Sequence, residues 1–190
     1  MSKVSEQSIR AEALESLLIE KGLLTPEHVD EVIVRYNERV GPMNGARVVA
    51  KAWTDPEYRT RLLADGTAAV AEFEFEGGQV EKLVVVENTD EIHNVVVCTL
   101  CSCYPWAMLG LPPAWYKDPE YRSRIVREPR EVLKEFDVTV GEDVAVRVWD
   151  SSAEVRYLVL PQQPEALCGF DETELAAHVT RESMIGVAVL

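Results

Sequence analysis

Three of the chain's four cysteines, Cys98, Cys101 and Cys103, fall within six residues, in the string VVVCTLCSC. Free cysteines are often buried as small hydrophobes, but three in so short a run is improbable as packing alone. A disulfide between such near neighbours would close only a tiny, strained loop. In a reducing compartment a cluster of this kind reads as a metal-binding or catalytic group. A structural zinc site wants four closed ligands, usually as two separated pairs, and an iron–sulfur cluster wants a fourth thiolate. Cys168 and His93 are the spare side chains for that role. Without either, the C-x2-C-x-C loop completes a coordination plane only with its own backbone, through the amide nitrogens of Ser102 and Cys103. Thiolates and deprotonated amides suit a small trivalent ion, which would keep one position for water or substrate and act as a Lewis acid or hydroxide source.

The composition narrows the field further. Among 190 residues there are 33 Asp and Glu against 19 Lys and Arg, a net charge of −14, which argues against nucleic acid and against an anionic membrane surface as partners. Three histidines are too few for a site built mainly on imidazole. The first twenty residues lack a basic segment followed by an apolar one, and the richest apolar runs are too short to span a bilayer, so a soluble, cytoplasmic protein is expected.

The elements that must position the cysteines follow from periodicity. Residues 5–22 space Ile9, Leu14, Leu17, Leu18 and Leu23 as an amphipathic helix, and Thr25-Pro26 opens a second one that runs to Gly41-Pro42. Thr54-Asp55-Pro56 caps a further helix carrying Tyr58, Leu62 and Leu63. Residues 83–88 and 93–98 are short β-branched runs with a short connection. Residues 118–136 read as helical with a break at Pro129, residues 144–150 and 155–161 as an antiparallel pair, and Asp171 starts a last short helix. Helices first, then strands and helices without a regular alternation, give an α+β fold. The expected organisation is an N-terminal helical arm over 1–45, clasping a partner, and a metal-binding catalytic domain over 46–190.

The string VVVCTLCSCYPW (95–106) resembles the metal claw of nitrile hydratase α subunits, which is shared with the γ subunit of thiocyanate hydrolase. Residues 49–67, 86–97, 109–136, 146–161 and 179–187 resemble the same family, in order, so the likeness spans nearly the whole chain. It implies a layered α/β/β/α core with mixed sheets. It also implies a low-spin, non-corrin Co(III), with Fe(III) as the alternative, held by Cys98, Cys101 and Cys103 and by the amides of Ser102 and Cys103. Thr99 inside the claw is the cobalt-type residue. In the family the position of Cys101 is a sulfinic acid and that of Cys103 a sulfenic acid, while Cys98 stays a thiolate. The implied reaction is hydration of a nitrile to its amide, with Cys103, Cys101 and Ser102 as the catalytic group. Attack comes from water, from the Cys103 sulfenate or from a metal-bound hydroxide.

Around the claw, the resemblance marks Gln79 and Trp115 as pocket positions and Asp150, Glu154 and Arg156 as outer residues. Gln79 stands in Gln-Val-Glu where the family has Gln-Gly-Glu. Packing and turn formation are the alternative roles for these side chains, Tyr104 packs on the claw or fills core, and His93 reads as structural or outer-shell. The implied partners are a β subunit, in one chain or split between two, a cobalt-insertion activator protein and a small nitrile. A thiocyanate hydrolase γ-type subunit is the second reading, disfavoured by the YPW and GLPPAW strings. A thiolate metal-binding module without turnover is the third.

Overall fold

A computed structural model of the chain describes residues 6–75 and 81–190. Two compact units are present, one ending at Arg39 and one running from Val40 to Leu190. In the first, α1 (Glu6–Glu20) and α2 (Pro26–Val34) are joined through Gly22, whose φ of 69° lies in the left-handed region. Thr25 caps α2 by accepting the His28 amide, and Pro26 sits in its first turn. The second expected helix continues beyond Val34 as a π-helical turn, Arg35–Arg39. Ile9, Leu14, Leu17, Leu23, Val32 and Ile33 are all exposed.

The second unit opens with α3 (Pro42–Thr54), α4 (Pro56–Ala64) and α5 (Gly66–Ala71). Asp55 and Asp65 each end one helix and cap the next, accepting the amides of Tyr58 and Ala68. Strands β1 (Lys82–Glu87) and β2 (Ile92–Val97) follow, then the cysteine loop, α6 (Trp106–Leu109), α7 (Pro119–Ile125) and α8 (Pro129–Glu135). Strands β3 (Ala145–Asp150) and β4 (Val155–Leu160) and helices α9 (Glu172–His178) and α10 (Arg181–Ile185) complete the chain. The result is α+β. No described helix is long and apolar enough to cross a membrane.

The strand pairing departs from expectation in one respect. β3 and β4 are adjacent in sequence but do not form an antiparallel hairpin: β1 pairs with β4 and β2 with β3, both in parallel. Two physical reasons are visible. The Ser151–Glu154 connection has none of the Asn-Gly or Gly-containing chemistry of a tight hairpin. The Val- and Leu-rich strands β2 and β4 are buried almost along their length, the habit of parallel strands covered on both faces. β1 and β2 are likewise linked by a sharp turn, closed by the Thr89–Ile92 bridge, yet belong to different sheets. Helices α4 and α5 pack on β1, α10 on β2 and β4, and α8 on β3.

Asn94, 2% exposed in the middle of β2, ties the two sheets together. Its side-chain amide donates to the Glu87 carbonyl at the end of β1 (2.7 Å) and its oxygen accepts the Trp149 indole N–H from β3 (2.8 Å). Next to it, buried His93 contributes a ring N–H, from Nε2, to the Gly186 carbonyl at 2.8 Å, which assigns this histidine to the packing of α10 against β2. Gly186 ends α10 with φ 92°, and a Cβ there would stand 1.9 Å from the Asn94 carbonyl oxygen. Only glycine fits.

Gly186→Ala is therefore expected to destabilise the fold by about 3 kcal/mol or more in a denaturant titration, from left-handed strain plus a backbone clash. Burial, only partly offset by the Gly186 carbonyl, holds the His93 pKa below its ordinary value. The unfolded chain then takes up a proton below about pH 6.5 that the folded chain refuses, so stability is lost as pH falls through that range. Lowering the pH from about 7.5 to about 5.5 should reduce the melting temperature more for the unmodified chain than for His93→Gln.

Candidate metal centre

Cys98 immediately follows β2, and the register of the β2–β3 pair sets Val97 opposite Asp150. Because the strands are parallel, both chains leave the sheet at the same end, so the cysteine loop and the Asp150 carboxylate emerge side by side. Asp150 accepts two hydrogen bonds from Thr99, one from its amide (2.9 Å) and one from its hydroxyl (2.5 Å). The Ser151 amide extends the ladder by one step to the Val97 carbonyl at 2.7 Å.

Within the loop the three sulfurs lie inside 4.8 Å of one another. Cys98 Sγ and Cys101 Sγ are 3.6 Å apart, and Cys101 Sγ and Cys103 Sγ 3.2 Å. All three are free thiols. Two thiolates about 2.3 Å from one ion stand about 3.3 Å apart at a right angle and about 3.8 Å apart at a tetrahedral angle, so these spacings are those of ligands sharing an ion. The amides of Ser102 and Cys103 also face the Cys101 sulfur, and the Cys101 amide donates to Cys98 Sγ at 3.3 Å. The three sulfurs thus converge, with the Ser102 and Cys103 amides beside the Cys101 sulfur, and the donor set fits a thiolate-and-amide claw.

The environments of the three thiols differ. Cys98 is fully buried, Cys103 half-buried and Cys101 exposed. The hydrogen bond from Cys103, then the Ser102 amide and the Cys98 thiol, draw the Cys101 pKa down to about 7. Burial, reinforced by the contact with Cys101, pushes Cys103 up to about 12.

The segment after the claw grips it from outside. Tyr116, buried on a 3-10 turn (Trp115–Lys117), donates its hydroxyl to the Cys103 carbonyl at 3.0 Å. Tyr121 on α7 donates to the Val96 carbonyl at 3.2 Å, and Arg122 to the Cys101 carbonyl at 2.8 Å. Asp118 caps α7 and so sets the phase of both side chains. Sequence reasoning passed over Tyr116, Tyr121 and Arg122; the Asp118-Pro119 helix start was the signal that fixes which way the last two point.

Other candidate positions lie at varying remove. Tyr104 is buried, its hydroxyl on the Leu109 carbonyl and its ring edge-on to Tyr116 at 5.1 Å, so it supports the claw through Tyr116. Arg156 is buried beneath the turn after β3: it donates to the Ser152 carbonyl, pairs with Glu81 at 2.7 Å, and lies close enough to Cys103 to act on it electrostatically. Glu154 is exposed in that turn, where its amide donates to the Ser152 hydroxyl. Trp115 packs edge-on against Tyr121 and Phe136 at 5.0 and 4.9 Å, in an aromatic cluster over α7 and α8 that meets the claw through Tyr116. Cys168 is exposed and apart from the cluster. Gln79 lies outside the described residues.

The chain matches a family model described as "Nitrile hydratase, alpha chain" over residues 5–188. It is 58% identical over 183 residues to the cobalt-containing nitrile hydratase subunit alpha of Pseudonocardia thermophila, covering 96% of this chain and 90% of that one. It is 42% identical to the thiocyanate hydrolase subunit gamma of Thiobacillus thioparus, over 100% of this chain and 82% of that one. Its fold superposes on a double mutant of the Fe-type nitrile hydratase from Comamonas testosteroni Ni1 with a TM-score of 0.90 at 42% identity, covering 100% and 92% of the two chains.

Asp150→Ala should leave Thr99 without either partner and loosen the loop while the sheet survives. Hydrogen exchange across residues 98–103 is expected to speed about tenfold or more, the scale of two hydrogen bonds to a charged group, with little change in the strands.

Proposed function

Because this chain belongs to the nitrile hydratase alpha-chain family, we propose that it is the metal-bearing α subunit of an enzyme that adds water to a nitrile, turning R–C≡N into R–CONH2. The observation that carries this reading is the convergence of the Cys98, Cys101 and Cys103 sulfurs, with the Ser102 and Cys103 amides beside the Cys101 sulfur. These five atoms would hold a trivalent cobalt ion; when bound, it supplies Lewis acidity at one remaining position. Thr99, held by Asp150, and the name of the 58% identical relative favour cobalt over iron.

The chain's own groups have separable tasks. Cys98, sealed in the core, is the sulfur that escapes oxidation. Cys101 is the exposed sulfur, its pKa drawn down by its neighbours, which places it first on the oxidation ladder towards a sulfinic acid. Cys103, oxidised to a sulfenic acid, carries an oxygen that either takes a proton from the water attacking the nitrile carbon or bonds that carbon itself and is then replaced by the oxygen of water. Asp150, Tyr116 and Arg122 keep the loop in shape throughout. Ser102 contributes its amide and hydroxyl to the shell of the site.

A β subunit completes the pocket in this reading. Leu100, 88% exposed at the tip of the claw, and half-exposed Trp106 and Leu111 are apolar side chains open to solvent in the segment that carries the claw, and the helices before residue 40 carry a row of exposed aliphatic side chains. These are the surfaces that the partner covers, with the N-terminal helices as its clasp, and an activator protein delivers the cobalt.

Co-expressed with its β subunit, the chain is expected to carry about one cobalt, its 98–103 peptide should gain three oxygens in mass spectrometry, and acrylonitrile should be hydrated. Turnover by the isolated chain equal to that of the complex would remove the need for the partner. Thiocyanate conversion without nitrile hydration would move the chain to the thiocyanate hydrolase reading that its 42% identical relative represents. Zinc in place of cobalt, with no turnover, would reduce it to a metal-binding module.

A further inference from the structure

Arg122 is set apart from the other arginines near the site by what it does not pair with. Among the described residues no carboxylate lies within ion-pair distance of it, whereas Arg124, two residues on, bridges Glu128 and Glu135 at 2.6 Å each and Arg156 bridges Glu81. One nitrogen, Nη1, donates to the Cys101 carbonyl, and Nε is buried without a hydrogen-bond partner. A buried guanidinium N–H left unpaired is a cost, and the surrounding fold accepts it to keep this side chain against the loop. The adjacent Tyr121 anchors the same helix to Val96 in β2, so the strand that feeds the claw and the guanidinium that touches it move as one body.

We propose that Arg122 is a positioning residue of the claw, holding the Cys101–Ser102 peptide plane so that the Ser102 nitrogen faces the sulfurs. The described residues contain no cis peptide, and in a trans peptide the carbonyl and the N–H point in opposite directions. Fixing the Cys101 oxygen outward, on Arg122, therefore turns the Ser102 nitrogen inward, where it meets the Cys101 sulfur. The positive charge has a second effect. Three thiolates and two amidates carry five negative charges against three on the ion, and the excess spreads onto the peptide oxygens. Arg122 sits on one of those oxygens. Tyr116 on the Cys103 carbonyl is neutral and cannot substitute for it.

This role rests on the metal-claw reading above, and its test separates the two. The complex with the β subunit is produced with Arg122→Met, which keeps the length of the side chain without its donors, with Arg122→Lys, which keeps one charged donor, and with Arg127→Met. Arg127 lines the same 420 Å³ recess as Arg122 and Thr99, but its side chain bonds only back to the preceding helix, at the Ser123 carbonyl. After dialysis against a chelator, cobalt per α chain is expected to fall about tenfold in Arg122→Met, the scale of one charge-assisted hydrogen bond. The sulfur-to-cobalt absorption band of the metal that remains should shift, with the melting temperature of the metal-free complex unchanged. Arg122→Lys should recover most of the cobalt, and Arg127→Met should match the unmodified complex. Cobalt content and absorption in Arg122→Met equal to the unmodified complex would overturn the role, as would equal losses in Arg122→Met and Arg127→Met. An unmodified complex that holds no cobalt would overturn the metal-claw reading and the role together.

Discussion

The parallel pairing of β2 with β3 is the constraint on which the site depends. Its register puts Val97 opposite Asp150, so the residue that follows one strand and the residue that ends the other share one edge of the sheet. An antiparallel partner would have delivered its last residue to the far end of β2. A slip of one residue would have turned the carboxylate to the other face. With the register as it is, one aspartate supplies both acceptors that Thr99 needs, and the first turn of the claw is fixed before any ligand is considered.

From that edge outward, order is imposed through the carbonyls of the claw strand and its loop. Tyr121, Arg122 and Tyr116 each take one, at Val96, Cys101 and Cys103, from a single stretch of chain. Carbonyls are the groups to hold if the amide nitrogens are to be turned the other way. The aromatic cluster of Trp115, Tyr121 and Phe136 then serves as the rigid backing of that stretch, which gives Trp115 a mechanical place in the fold. The −14 charge has little part in this chemistry: acidic side chains such as Glu120, Glu128 and Glu135 lie on exposed helix faces.

Much of this was legible from residue order. The C-x2-C-x-C spacing named the ligands, and the Asp-Pro and Thr-Pro pairs named helix starts because capping is a local affair of three residues. Helix α5 escaped notice since Gly-Thr-Ala-Ala-Val-Ala has no amphipathic stripe; its start is set by the Asp65 cap. Strand pairing was misread because partners are chosen by burial across the whole unit, and two neighbouring strands can each prefer a more distant one. Arg122 and Tyr116 were invisible for a related reason: their acceptors are backbone atoms, which leave no mark in the side-chain pattern.

The hydrogen bonds that brace the claw strand also carry a timetable. Thr99 waits for a carboxylate 51 positions later in the chain, and His93 for a carbonyl 93 positions later. A growing polypeptide that has just exposed its cysteines has neither. The loop acquires its anchor only when β3 has been made, and the back of β2 closes only when α10, the last of the described elements, arrives. Shaping of the claw, and with it any selective uptake of an ion, therefore follows the making of β3, well after the cysteines themselves.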